Sequence, residues 1–403
     1  MIHLETPRKM RPLVQQANEL AQHIFRPISR KYDLAEHAYP KELDMLAALV
    51  DGMNESGGTS AGAGKVSNDD DKRDAAKVRN GSNMATVLGL TELCWGDVGL
   101  ALSIPRQGLG NSAIAAVATA EQKERFAGTW AAMAITEPSA GSDSAGISTT
   151  ARLDGDEWVI NGEKIFVTAG ERCDSVVVWA TLDKDKGRAA IKSFIVPKGT
   201  PGCEVVRLDH KLGIRSSDTA TIVFQDCRIP KANILGNPEI QTKKGFAGVM
   251  QTFDNTRPVV AAMAIGVARA ALERTTQLLR AEGVKVDYRG GALAQSAAQA
   301  SLLEMEAELE SATLMTLKAA WMADNGIPNS MEASMAKAKA GRVANDITLR
   351  CVELCGAVGY DEIELIEKWA RDSKILDIFE GTQQIQMLVV ARRLLGKSSK
   401  DLR

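Results

Sequence analysis

The segment IFEGTQQIQ (378–386) places one carboxylate, Glu380, behind Ile375, Leu376, Ile378 and Phe379. A carboxylate in apolar company has a raised pKa and can act as a base near neutral pH. Gly381, next to it, lets the chain turn or lets a ligand approach the backbone. Upstream, ITEPSAGSD (135–143) is rich in turn formers, small residues and hydroxyls. Such a segment can bring N–H and O–H groups against a flat polar ring. FDNTRP (253–258) reads as a helix start, with Thr256 or Asn255 as cap and Pro258 in the first turn. The helix dipole disfavours an arginine there, which points to another task for Arg257.

Other chemistries find little support. Histidines occur only at positions 3, 23, 37 and 210, too scattered in sequence to suggest a zinc site or a Ser-His-Asp triad, so no metal is expected. Six cysteines form no CxxC pair, and read as buried small hydrophobes. GAGK (62–65) imitates a phosphate loop, but Thr59 stands where its first glycine belongs and Val66 where Ser or Thr is needed. A net charge of −2 gives no reason to expect nucleic acid as a partner. No run approaches the roughly 18 apolar residues of a membrane span. The opening MIHLETPRKMRPLVQQ lacks a basic-then-apolar leader, so a cytoplasmic location is expected.

The elements that must position these residues fall into three zones, and 403 residues exceed what a single core usually serves. Residues 1–132 read as a helical domain interrupted by a polar insertion over 51–82. Residues 133–243 carry short alternating runs (TTARL, EWVINGEKIFVT, SVVVWATL, KSFIVP, CEVVRL, TATIVFQDCRIP) separated by turn signals, the pattern of a small β-barrel or sandwich. Residues 244–403 show Ala/Leu/Glu/Met periodicity over Val259–Glu282, Ala294–Asn325, Ser330–Gly356 and Ile363–Leu395, which predicts an antiparallel four-helix bundle. The fold class is therefore α+β.

Four segments in this order, ITEPSAGSD, WVINGEKIFVTAG (158–170), FDNTRPVVAA (253–262) and RDSKILDIFEGTQQIQ (371–386), resemble the acyl-CoA dehydrogenase family, in particular its bacterial, actinobacterial-type fatty acyl-CoA members. The resemblance covers almost the whole chain. It implies FAD as cofactor and α,β-dehydrogenation of an acyl-CoA, with Glu380 abstracting the α proton while the β hydride passes to flavin N5. The backbone N–H of that glutamate and a ribityl hydroxyl of FAD would hold the enolate oxygen. By the same match Ile135, Thr136 and Gly141 would face the flavin, Ser142 the flavin or substrate. Phe166 would pack on the ring beside Val167, with Thr168 hydrogen-bonding it. Asp254, Arg257 and Gly381 would bind substrate. Gly356, in ELCGAVGY (353–360), and Thr382 with Gln384 would meet the phosphate and adenosine part of the cofactor. Some relatives carry the base at the FDNTRP-like motif, where this chain has Thr256 and Arg257.

Two departures stand out. Glu353 and Ala357 replace residues usual in the family's flavin-binding turn, and KVDYRGG (285–291) replaces its R-x-x-F-G motif, whose arginine reaches a neighbouring subunit's FAD. Either Lys285 or Arg289 serves that role in a homo-oligomer, or a related subunit supplies the arginine in a hetero-oligomer. An electron-transfer flavoprotein is the implied acceptor; oxygen, as in the acyl-CoA oxidases, and a non-catalytic partner subunit are the alternatives. The type of acyl chain stays open.

Overall fold

The computed structural model describes residues 6–47, 80–106, 108–240, 247–398 and 401. Most of the polar insertion expected over 51–82 lies outside them. Two helices, α1 (Arg11–Leu20) and α2 (Arg26–Leu34), are joined through a π-helical turn at Ala21–Phe25. α3 (Ser82–Gly96) follows. Its N-terminal amides at Gly81, Asn83 and Met84 donate to the Asp324 carboxylate at 2.6, 2.9 and 3.0 Å, so a residue about 240 positions away caps it.

Among the described residues seven strands form one sheet: β1 (Ala131–Ala134), β2 (Thr150–Asp154), β3 (Glu157–Thr168), β4 (Ser175–Thr181), β5 (Ile191–Pro197), β6 (Cys203–Leu208) and β7 (Thr219–Pro230). The six runs read from alternation are β2 to β7. β1, the sequence AAMA, carries no β-propensity signal. It is a strand because it lies parallel to β4 in register Ala131↔Ser175, so tertiary pairing overrides its alanines. β3 and β7 form the longest antiparallel pair, with register shifts at Ile160/Gly162 and Lys164/Val167. A bulge re-aims the side chains next to it, and the second shift spans Phe166.

The C-terminal helices are α4 (Ala247–Ala281), α5 (Ala297–Asp324), α6 (Ser330–Tyr360), α7 (Ile366–Ser373) and α8 (Gln383–Leu395). A capping box, Ser296 with Gln299, starts α5. Two sequence expectations fail here. FDNTRP does not start a helix: α4 begins at Ala247 and Pro258 sits inside it. The proline forfeits one backbone hydrogen bond, which the long apolar face after it offsets by burying Val260, Ala264, Ile265, Ala268 and Leu272. The fourth predicted helix, 363–395, is broken into α7, a 3₁₀ turn at Lys374–Asp377, and α8. Glu380 (φ 57°) and Gly381 (φ 89°) are left-handed between them, a conformation that no α-helix continues through.

The three sequence zones share two main cores. One unites the N-terminal helices with the bundle, packing Phe25, Leu43 and Leu100 with Ile265, Leu302 and Trp369. The other lies within the β unit, around Trp158, Ile160, Phe194 and Phe224. Burying each such side chain stabilises by about 1.5–3 kcal/mol.

Candidate active site

On the β side, the loop after β1 is tied down by a buried ion pair. Lys164 Nζ, at 0% side-chain exposure, lies 2.8 Å from Glu137 Oε1 and also donates to the carbonyl of Ile135 at 3.1 Å. Glu137 further accepts from the Ser148 and Thr149 amides and the Ser148 hydroxyl. Burial alone would raise the Glu137 pKa, but hydrogen bonds led by Lys164 hold it at about 2. The Ile165 amide donates to the Thr136 carbonyl at 2.9 Å. The ITEPSAGSD loop is thus fastened at Ile135 and Thr136 to Lys164 and Ile165, the residues just before FVT. Glu137 and Lys164 were not among the expected site residues, although both lie inside the two motifs.

Phe166 has a left-handed backbone (φ 59°) and is 61% exposed on a strand whose Trp158, Val159, Ile160, Lys164 and Val167 are buried. An aromatic face held out beside anchored backbone donors suits a flat ring system such as a flavin. Val167 differs from expectation: its side chain is buried in the β core, because strand alternation turns it away from Phe166 and Thr168. Only its backbone can meet a cofactor. Gly141 and Ser142 are exposed on the same loop.

In the bundle, the Thr256 hydroxyl donates to Glu380 Oε2 at 2.8 Å. The position where some relatives place their base therefore faces the glutamate rather than standing apart. Arg257 is buried, and its charge bears on Glu380, as does that of Lys337. Burial of the Glu380 carboxyl pushes its pKa above the ordinary value, while Thr256, Arg257 and Lys337 pull against it. Lys337, buried on α6, donates from Nζ to the Gly381 carbonyl at 2.7 Å. Burial brings its own pKa down to about 8. Gln386 Nε2 reaches the carbonyls of Glu380 and Gly381 at 3.1 and 3.0 Å. These two side chains lock the left-handed turn that presents the carboxylate. Neither is legible in the sequence: Lys337 lies in an alanine-rich helix, and Gln386 is one of three glutamines after Glu380.

The remaining expected residues are more dispersed. Asp254 lies within α4, and its side chain is outside the described residues. Thr382 caps α8, its hydroxyl accepting from the Ile385 amide at 3.4 Å, and Gln384 is exposed two residues on. Gly356 breaks α6 with φ 55° and ψ −130°, the turn expected of ELCGAVGY. Tyr288, in the stretch that departs from R-x-x-F-G, is exposed and donates to Glu306 at 2.9 Å.

Comparison with known proteins places this geometry among relatives. A family model for the acyl-CoA dehydrogenase middle domain matches residues 132–227, and one for the acyl-CoA dehydrogenase C-terminal domain matches 243–395. The chain is 35% identical over 322 residues to a short-chain specific acyl-CoA dehydrogenase of Clostridium acetobutylicum, covering 78% of this chain and 82% of that protein. It is 38% identical over 262 residues to the mitochondrial short-chain specific acyl-CoA dehydrogenase of Mus musculus, covering 65% of this chain and 62% of the mouse protein. Among solved structures, butyryl-CoA dehydrogenase from Megasphaera elsdenii superimposes with a TM-score of 0.80 at 29% identity, covering 98% of this chain and 100% of that one.

Proposed function

The chain belongs to the acyl-CoA dehydrogenase family, and from that premise we propose that it oxidises an acyl-CoA thioester to the trans-2-enoyl-CoA with Glu380 as base. The observation that carries this reading is the environment of Glu380. Its carboxylate is partly buried with a raised pKa, hydrogen-bonded by Thr256 and held on a turn locked by Lys337 and Gln386. Desolvation keeps the base strong enough to take a weakly acidic α proton, and the fixed turn keeps it in line with one substrate carbon.

The residues present fit a flavin, and the proposed cofactor is FAD. It supplies, when bound, the two-electron acceptor for the β hydride. Ile135, Thr136, Phe166 and Thr168, with the Val167 backbone, would hold the ring, with Gly141 and Ser142 beside it. Thr382, Gln384 and Gly356 would take the phosphate and adenosine end. Arg257, Gly381 and Asp254 would hold the thioester and its CoA. The Glu380 backbone N–H would polarise the thioester oxygen and favour loss of the α proton.

An electron-transfer flavoprotein is the proposed acceptor of the electrons. The chain is proposed to act as a homo-oligomer, or as a hetero-oligomer with a related subunit. Exposed apolar residues on α6 and α8, among them Leu349, Val358, Met387 and Leu395, support assembly. Among the described residues no helix is long and apolar enough to cross a membrane. Domain limits of 1–132, 133–243 and 244–403 are proposed on the same reading. The relatives named short-chain and butyryl-CoA dehydrogenases make short straight acyl groups the first substrates to try.

Anaerobic addition of butyryl-CoA and longer acyl-CoAs to the purified yellow protein should bleach its visible absorbance, while Glu380→Gln stays yellow. Bleaching of that variant at the wild-type rate would remove Glu380 as base.

A further inference from the structure

The fold brings together three side chains that the catalytic reading does not use. Glu36 and His37 follow α2, and His210 lies in the loop between β6 and β7. Sequence spacing spoke against any grouping of the histidines, since 173 positions separate these two. In space one carboxylate oxygen and one nitrogen from each ring lie within 4.8 Å of one another. His210 Nδ1 is 2.7 Å from Glu36 Oε2, and the imidazole rings are 5.2 Å apart, tilted by 57°.

His37 is the unusual member. Both of its ring nitrogens are shielded from solvent, and neither has a hydrogen-bond partner. Shielded imidazole nitrogens without a partner are an uncompensated cost. Its backbone is left-handed (φ 70°), a conformation that persists only where the surroundings over-determine it. Those surroundings are on the page: the His37 amide donates to the Arg215 carbonyl at 3.4 Å, and Arg172 donates to the carbonyls of His37 and Ala38 at 3.2 and 2.8 Å. The chain is thus pinned so that His37 stands beside Glu36 and His210. A packed aromatic ring next to a surface Glu–His pair is the plainer account of the cluster. It leaves unexplained the bare nitrogen that faces Glu36 and His210.

We propose that Glu36, His37 and His210 form a binding site for a borderline divalent cation of the zinc class, tying the N-terminal helices to the β unit. Two imidazoles and one carboxylate, with water as fourth ligand, are a donor set suited to tetrahedral zinc. The Glu36 carboxylate is already oriented from behind, since its other oxygen accepts from the Lys211 amide at 3.0 Å. Of the neighbouring positive charges, Arg172 is paired with Asp218 at 3.3 Å, while Lys211, whose Nζ donates to the Ser217 carbonyl at 2.8 Å, also bears on His37.

The test is equilibrium dialysis of the chelator-stripped full chain against zinc chloride, with His210→Ala and Glu36→Gln in parallel. His210 has an 82% exposed side chain, so its removal leaves the packing intact. The expected result is one zinc per wild-type chain, a raised melting temperature with zinc, and more than about tenfold weaker binding in both variants, the least that losing even an outer-shell partner costs. Zinc bound equally by His210→Ala, as capture by the part-exposed thiols of Cys203 or Cys355 would give, overturns the site. So does a wild-type chain that takes up none.

Discussion

Glu380 combines two properties that seldom meet on one residue, a raised pKa and a left-handed backbone. The raised pKa was expected from its apolar neighbours in IFEGTQQIQ, but the groups that face the carboxylate are Thr256, Arg257 and Lys337, and Ile378 is exposed. The left-handed backbone was not expected, because a periodicity argument carries a helix straight through it. Thr256 tunes the base, since its hydroxyl stabilises the charged form and lowers the pKa that burial raises. Thr256→Val should therefore move the acid limb of the kcat/KM profile to higher pH, because Glu380 then stays protonated, and unable to accept a proton, over a wider range. The shift should be about one pH unit or less, the size of one net hydrogen bond. A profile identical to wild type would show that Thr256 does not touch the titrating group.

At the scale of elements, two locks hold the site. The turn between α7 and α8 depends on Gly381, where a Cβ would lie 2.6 Å from Gln386 Nε2 at a φ of 89°. Gly381→Ala should cost about 1–3 kcal/mol in backbone strain and lower kcat more than it lowers flavin content, which turnover and absorbance measure separately. The loop after β1 depends on Lys164 and Glu137. Lys164→Met leaves a buried carboxylate unpaired and should destabilise by about 3–5 kcal/mol in urea unfolding. In the wild type Glu137 titrates at about 2 when folded against an ordinary 4.5. Its stabilising contribution is therefore full above pH 4.5 and is lost as pH falls towards 2, on the order of 3 kcal/mol. In Lys164→Met that acid-side slope should flatten; a slope as steep as wild type would place the titration elsewhere. Apart from Gly381, the residues of both locks (Lys337, Gln386, Lys164 and Glu137) are unremarkable in sequence, which is why motif reading found the loops and not what fastens them.

For the molecule as a whole, a buried charge cluster binds the helical zones to each other and to the β unit. Lys368 lies 2.7 Å from Asp97 and also pairs with Asp372, all three essentially inaccessible, while Asp372 accepts from the Ile214 amide at 2.6 Å. Arg371 adds Asp33 at 2.7 Å and the Leu212 carbonyl at 3.1 Å. Lys368→Met strands two carboxylates in the interior and should cost about 3–5 kcal/mol in global unfolding. Arg228→Ala, which breaks an exposed pair with Asp154, should cost under about 1 kcal/mol. Equal losses in the two variants would mean that the cluster does not bear on the junction.

From the sequence alone came the α+β class, six of seven strands, the long helices and the glutamate that serves as the proposed base. These follow from short-range regularities: alternation, helical spacing, turn residues and the polarity of immediate neighbours. Tertiary structure alone decided what long-range proximity controls. It made a strand of the alanines in β1, carried α4 through Pro258, broke the last helix at Glu380 and turned Val167 into the core. It set Thr256 against Glu380 across 124 residues, aimed Lys337 at Gly381, and gathered Glu36, His37 and His210. The physical reason is that packing energy and desolvation depend on which surfaces meet, and a linear pattern records only which residues are neighbours along the chain.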